Sequence, residues 1–287
     1  MSLTIASFNL YFFGESTGAH VERDEIDQEL IARVIANVDA DAIAFQEIHE
    51  RDVLQRVLDR ASFLRPGRRW VTSVPAGVMA TATTPTASFQ VVLAVDEARV
   101  SVEAVSMPLV GGNSRPPLIV DLEVEGEPMQ LIAVHLKSGT LDEPIDGNNA
   151  ARRLKECRRL REWLDANPRD RRVIIGDFNA FLDHPSLEPL RALPGWTWLR
   201  HLWPDGARRW TTHLDSFAFD PCAIDHVGLA PGCSADRLEV HCFDLSDELA
   251  RDGKSWREWL ATDDVDETNL RRVSDHRPVR ATVQLNV

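Results

Sequence analysis

"PPLIVDLEVEGEPMQLIAVHLK" spans residues 116–137. Two runs of apolar residues, each the length of a strand, flank the tetrapeptide Glu125–Gly126–Glu127–Pro128. Short apolar runs on either side of a Gly/Pro-containing turn read as two antiparallel strands of a hairpin. Just upstream, "FQVVLAVD" (89–96) and "ARVSVEAVSM" (98–107) have the same texture. The N-terminal part reads differently. A strand over 2–9 precedes a helix over 24–38, in which Ile26, Leu30, Val34 and Val38 recur about one turn apart. "ADAIAFQEI" (40–48) is a short apolar strand, and 51–63 is an amphipathic helix through Val53, Leu54, Val57 and Leu58.

Downstream, Ala150, Leu154, Cys157, Leu160 and Leu164 mark one face of a long helix over 146–166, which Pro168 ends. "RRVIIGDFN" (171–179) is a buried strand running into a turn. "CAIDHVGLA" (222–230) and "RLEVHCF" (237–243) look like a further strand pair, and a last strand follows His276. Helix-flanked strands combined with antiparallel hairpins predict two sheets packed face to face with helices outside, an α/β/β/α sandwich. A single domain over residues 1–287 is the simpler expectation, with 244–272 as a helical insertion near the active site and 80–88 as a mobile rim.

The chain is 44% hydrophobic and 27% charged, as in ordinary globular proteins, and no apolar run reaches the length of a membrane span. The first residues lack the basic-then-apolar order of a signal peptide. Four cysteines without paired metal-site spacing, at 157, 222, 233 and 242, suggest reduced thiols and a cytoplasmic protein. A net charge of −13 disfavours non-specific nucleic-acid binding, which depends on Lys and Arg, unless cations bridge chain and phosphate. The charge is uneven: 151–172 holds nine Arg/Lys against four Asp/Glu, and 244–267 nine Asp/Glu against three Arg/Lys.

Polar residues recur where predicted strands end: Asn9, Glu47, His135, Asp177 with Asn179, Asp225 with His226, and Asp275 with His276. Singly, each has an ordinary reading. Asp177 and Asn179 suit a turn, Glu47 a helix start, and His135 a satisfied edge position. Together they can converge on one rim of a sandwich, supplying oxygen ligands for a hard cation and imidazoles for proton or phosphate work.

Six segments carry a family resemblance. "SFNLYFF" (7–13), "FQEI" (45–48), "VHLKSG" (134–139), "GDFNA" (176–180), "IDHV" (224–227) and "SDHRPV" (274–279) resemble, in this order, the motifs of the endonuclease/exonuclease/phosphatase superfamily. That group includes DNase I, exonuclease III, inositol-polyphosphate 5-phosphatases and neutral sphingomyelinases. The resemblance implies a four-layer sandwich and a Mg²⁺-dependent phosphoesterase, with Mn²⁺ as a possible substitute. It implies Asn9, Glu47 and Asp275 at the metal, and Asp177 orienting or deprotonating the attacking water. Asn179 and His135 would meet the phosphate, and Asp225 would hold His276. Arg115 resembles a phosphate-contacting arginine that precedes a strand in nuclease members.

Substrate is open at this level, because one fold serves many esters. A nuclease-like phosphodiesterase is the first reading. Lys137, the basic residues 152–161 and Trp210 within "RRWTTH" could meet a nucleic-acid chain, while Trp196 and Trp198 read better as core. A small-molecule or lipid-headgroup phosphatase is the alternative, favoured by the acidic total charge and by 244–272. A non-catalytic binding member is the third, disfavoured because Glu47, Asp177, Asn179, Asp225 and His276 are all present. No obligate protein partner is evident.

Overall fold

The structure is a computed structural model that describes residues 1–14, 21–73, 90–107, 115–138, 147–203, 211, 223–241, 273–274 and 276–286. The expectations for Trp210, Asp275, the 80–88 rim and the 244–272 insertion lie outside these residues.

Strands and helices are numbered in chain order. The first sheet runs β11 (His201–Leu202), β14 (Leu238–Val240), β15 (Val279–Leu285), β1 (Ser2–Gly14), β3 (Ala42–Ile48), β5 (Gln90–Asp96), β4 (Trp70–Ser73), with β2 (Val21–Glu22) beside β1 and β13 (Cys233–Ser234) beside β15. The second runs β10 (Thr197–Trp198), β12 (Asp225–Leu229), β9 (Arg172–Asp177), β8 (Glu127–His135), β7 (Leu118–Val124), β6 (Val100–Ser106). The hairpin at 116–137 is present: Val124 faces Glu127, and Glu125 and Gly126 form the turn with φ of 51° and 86°. Two central residues at positive φ make the kind of turn whose twist suits antiparallel strands.

Strand alternation sorts the core into layers. On the first sheet Phe8, Leu10, Ile43 and Phe45 point to α1 (Glu25–Val38) and α2 (Arg51–Leu64), while Leu3, Ile5, Ala42 and Ala44 point to the second sheet. On the second sheet Leu131, Ala133, Val173, Ile175 and Val227 face inward, and Ile132, Val134 and Ile174 face α3 (Gly147–Ala166). A short α4 (Glu188–Arg191) follows a 3₁₀ turn at Pro185–Leu187. The architecture is the α/β/β/α sandwich.

α1 begins with a reciprocal capping box between Asp24 and Asp27 and ends at Asp39 in the left-handed conformation. At the end of β3 far from Glu47, Arg68 bonds Asp39, Asp41 and Asp96 at 2.7, 2.5 and 2.9 Å and pins the sheet margin.

Three expectations change. The segments around 225–229 and 238–240 do not pair; β12 lies in the second sheet and β14 in the first. The turn between them, with β13, carries the chain across the sandwich, so closeness in sequence misled. Ile26, in the first turn of α1, is 47% exposed rather than on the buried face. β1 continues past residue 9 through a register irregularity between Asn9 and Phe13, where Tyr11 has φ of 47°. Cys157 and Cys233 are buried free thiols, and no described helix is long and apolar enough to cross a membrane.

Candidate active site

The inward-facing rows end in polar residues. Along β1 the inward positions are Leu3, Ile5, Ser7 and then Asn9; along β8, Leu131, Ala133 and His135; along β9, Val173, Ile175 and Asp177. On β12 the row runs from Leu229 through Val227 to Asp225. Residues two apart on a strand share a face, so all four side chains point into one end of the gap between the sheets. Register aligns them further, with Asp177 opposite His135 on one side and Asp225 on the other.

Asp177 is the hub. Its Oδ2 accepts from Asn9 Nδ2 at 3.1 Å and from Asn179 Nδ2 at 3.1 Å, and its Oδ1 accepts from Asn179 N at 2.8 Å. His135 Nε2 is 3.6 Å and His276 Nε2 3.9 Å from the same Oδ2. Glu47 Oε1 accepts from Asn9 Nδ2 at 3.2 Å and lies 3.6 Å from His135 Nε2. His276 Nδ1–H donates to Asp225 Oδ2 at 3.0 Å. Glu47 and Asn179 both hold positive φ, 60° and 51°. Non-glycine residues adopt that region at a cost, which gathers at functional sites.

Arg115 Nη1 donates to His135 Nε2 at 2.6 Å and to the Leu136 carbonyl at 3.0 Å. A guanidinium can only donate, so His135 accepts at Nε2 and is neutral. Burial, reinforced by the Arg115 charge, holds its pKa well below the usual histidine value. The N–H that this corner can offer a substrate therefore belongs to Arg115, with the imidazole orienting it. Lys137 is fixed through its backbone: its N–H donates to Glu156 Oε2 at 2.8 Å and its carbonyl accepts from Arg153 at 2.9 Å.

Burial pushes the Asp177 carboxyl up to about 7; Asp225 and Glu47 add to the rise, and His276 opposes it. Crowded carboxylates favour a bound cation. Among the described residues no group of three or more His, Cys, Asp or Glu is arranged to hold a metal. The oxygen donors present, the Glu47 carboxylate at 12% exposure and the Asn9 amide, still suit Mg²⁺. That ion takes one or two protein ligands and leaves its other positions to water and phosphate oxygens.

Of the residues singled out from sequence, Asn9, Glu47, His135, Asp177, Asn179, Asp225, His276 and Arg115 form one connected set, and Lys137 follows directly on it. Trp196 and Trp198 pack partly buried against the α3 side of the second sheet, as expected. Two hydroxyl residues were missed. Ser274 Oγ donates to the Asn9 carbonyl at 2.5 Å and accepts from His276 N at 3.0 Å. Thr211 is fully buried and bonds both the segment before Asp225 and the segment after His276. A Ser or Thr in a loop carries no sequence signal of such long-range partners.

The sequence model described as "Endonuclease/Exonuclease/phosphatase family" matches residues 6–276. No curated protein matches the chain. Among solved structures it resembles D. rerio TDP2 complexed with single strand DNA product, at 15% identity and a TM-score of 0.64, covering 99% of each chain. It also resembles an endonuclease/exonuclease/phosphatase family protein from Bacteroides thetaiotaomicron, at 14% identity and a TM-score of 0.64, with 100% of this chain and 99% of that one covered. A functionally unknown conserved protein from Enterococcus faecalis V583 matches at 16% identity and a TM-score of 0.62, with 99% and 100% covered.

Proposed function

Since the chain belongs to the endonuclease/exonuclease/phosphatase family and is a phosphoesterase, we propose that it hydrolyses phosphodiesters in nucleic-acid-like substrates with Mg²⁺ as cofactor. The observation that carries this reading is the hub at Asp177, with Asn9, Asn179, His135 and His276 all within 3.9 Å of one carboxylate oxygen.

Asn9 and Glu47, joined by Asp275, would hold the cation, which when bound polarises the phosphate and offsets its charge. Asp177, with its pKa near neutrality, orients the attacking water and takes its proton. Asp225 fixes His276 as the Nδ1–H tautomer and stabilises its charged form, leaving Nε2 toward the reacting phosphate. The Asn179 amide, its backbone strained and its carboxamide already oriented by Asp177 and Leu136, contacts a phosphate oxygen. Arg115, aimed by His135, contributes a charged donor to the same group. Lys137 follows the set directly in sequence and would add a further contact to the substrate, as would Trp210.

The ssDNA product held by the similar D. rerio TDP2 structure supports nucleic acid as the substrate class. The net charge of −13 and the acidic 244–267 segment favour a second reading, a small phosphate ester. Incubation with Mg²⁺ or Mn²⁺ and plasmid, single-stranded DNA, RNA, bis-p-nitrophenyl phosphate or inositol phosphates separates them. We expect cleavage of nucleic acid and of the diester, abolished by EDTA and lowered at least ~100-fold in His276→Ala. Turnover of small esters alone would support the second reading. Inactivity on every substrate, unchanged by metal, would refute both.

A further inference from the structure

We propose that Thr211 is a positioning residue for the Asp225–His276 pair. The inference rests on the reading of that pair as part of the hydrolytic site. The two partners stand 51 residues apart and lie in different sheets' neighbourhoods, His276 just before β15 and Asp225 at the start of β12. The bond of 3.0 Å between their side chains requires both backbones to be placed correctly. Asp225 Oδ1 has no partner among the described residues, so apart from the bond at Oδ2 the direction of this carboxylate comes from its backbone.

Beside the ladder to β9 and the His201 ring on the Asp225 carbonyl, Thr211 holds that backbone at its N–H groups. Its Oγ1 accepts from Ile224 N at 3.0 Å and Asp225 N at 3.2 Å, and its carbonyl accepts from Arg277 N at 2.7 Å. One fully buried residue therefore grips the peptide entering Asp225 and the peptide leaving His276. A hydroxyl oxygen has two lone pairs, enough for both amides, and neither a methyl nor a hydrogen can replace it. Removing it leaves two buried N–H groups seeking acceptors, and the start of β12 shifts to satisfy them. A displacement of about 1 Å at a reacting group costs on the order of 100-fold in rate. These three bonds reach the Asp225–His276 pair through the backbone, which is how a positioning residue acts.

The test compares Thr211→Val, nearly the same shape without the hydroxyl, with Thr211→Ser, which keeps it. ¹⁵N-histidine-labelled protein reports ring tautomers directly, with His276 assigned by its disappearance in His276→Ala. Wild type and Thr211→Ser are expected to show His276 as the Nδ1–H tautomer, and Thr211→Val a mixture or the opposite tautomer. On bis-p-nitrophenyl phosphate, Thr211→Val should lower kcat about 10- to 100-fold with KM within about twofold, Thr211→Ser should stay within about threefold, and Thr211→Val should add little in an Asp225→Ala background. A folded Thr211→Val with the wild-type tautomer and kcat overturns the proposal, as does a kcat loss of equal size in the Asp225→Ala background. If Thr211→Val does not fold, Thr211→Ala is judged by the same two readouts. If the wild type hydrolyses nothing, the hydrolytic reading falls, and the tautomer comparison still decides whether Thr211 sets the pair.

Discussion

Asp177 receives hydrogen bonds from two asparagines, lies within 4 Å of two imidazoles, and remains buried. An amide in its place keeps the shape and most acceptor contacts but cannot take a proton. Asp177→Asn is therefore expected to lower kcat by about 100- to 10,000-fold while KM changes by less than about threefold. Steady-state kinetics on the diester check this; a variant within tenfold of wild type would remove Asp177 from the proton-transfer role. Asp177 was legible because a carboxylate ending an apolar strand is conspicuous, and the same holds for His135 and Asp225. The pairing of Arg115 with His135 was not legible. It depends on the register of β7 and β8, which brings residues twenty apart into contact and makes an imidazole expected at the phosphate an acceptor for Arg115. Ser274 and Thr211 were hidden for a related reason: their partners lie at the far ends of the chain or across loops.

At the scale of elements, β8 and β9 run parallel, and their register sets His135 opposite Asp177. Gly176 makes that approach possible. Its φ is 147°, and a Cβ placed there would stand 2.0 Å from the Val134 carbonyl oxygen. The obstacle is backbone, which cannot swing aside. Gly176→Ala is thus expected to cost at least about 3 kcal/mol, and any folded fraction should lose activity because the two strands have moved apart. Urea denaturation measures the first effect; a variant within 1 kcal/mol of wild type, by the same estimate, would show that the strands can separate cheaply. Most elements were legible from periodicity, α2 and the β7–β8 hairpin above all. The false pairing of 222–230 with 237–243 shows the limit of that reading. Alternation tells which face of a strand is buried and says nothing about which sheet receives it. The extension of β1 past Asn9 was missed because a bulge erases the period of two just where the strand changes course.

Over the whole molecule, stability carries a pH signature from His226. Its ring lies beneath Phe178 and beside His201, and its Nε2–H donates to the Ala180 carbonyl at 2.9 Å. Burial above all, and then the neighbouring His201, lowers its pKa from 6.5 to about 4. Between these values the unfolded chain holds a proton that the folded one refuses. The contribution is fully present above pH 6.5 and is lost as pH falls through 4, an amount of about 3 kcal/mol. Unfolding midpoints at pH 7.5 and 4.5 should therefore differ less in His226→Phe than in wild type. Equal differences in the two proteins would exclude His226 as the source.

The pairing of β1 with β15 bears on when this enzyme can exist at all. Ser2 through Ser7 form their ladder with Val279 through Gln284, and the Asn9 carbonyl accepts from Ser274. Residues 2–7 and 279–284 must both be available before the centre of the first sheet can close. During folding, β1 has to wait, with one edge open, for β15, which lies more than 260 residues later. A ribosome-bound chain lacking residues 273–286 would hold Glu47, His135 and Asp177 yet have no His276 to complete the set. On the proposed reading, pairing β15 with β1 and completing the site are a single event, so no partly assembled sheet carries the full set of residues.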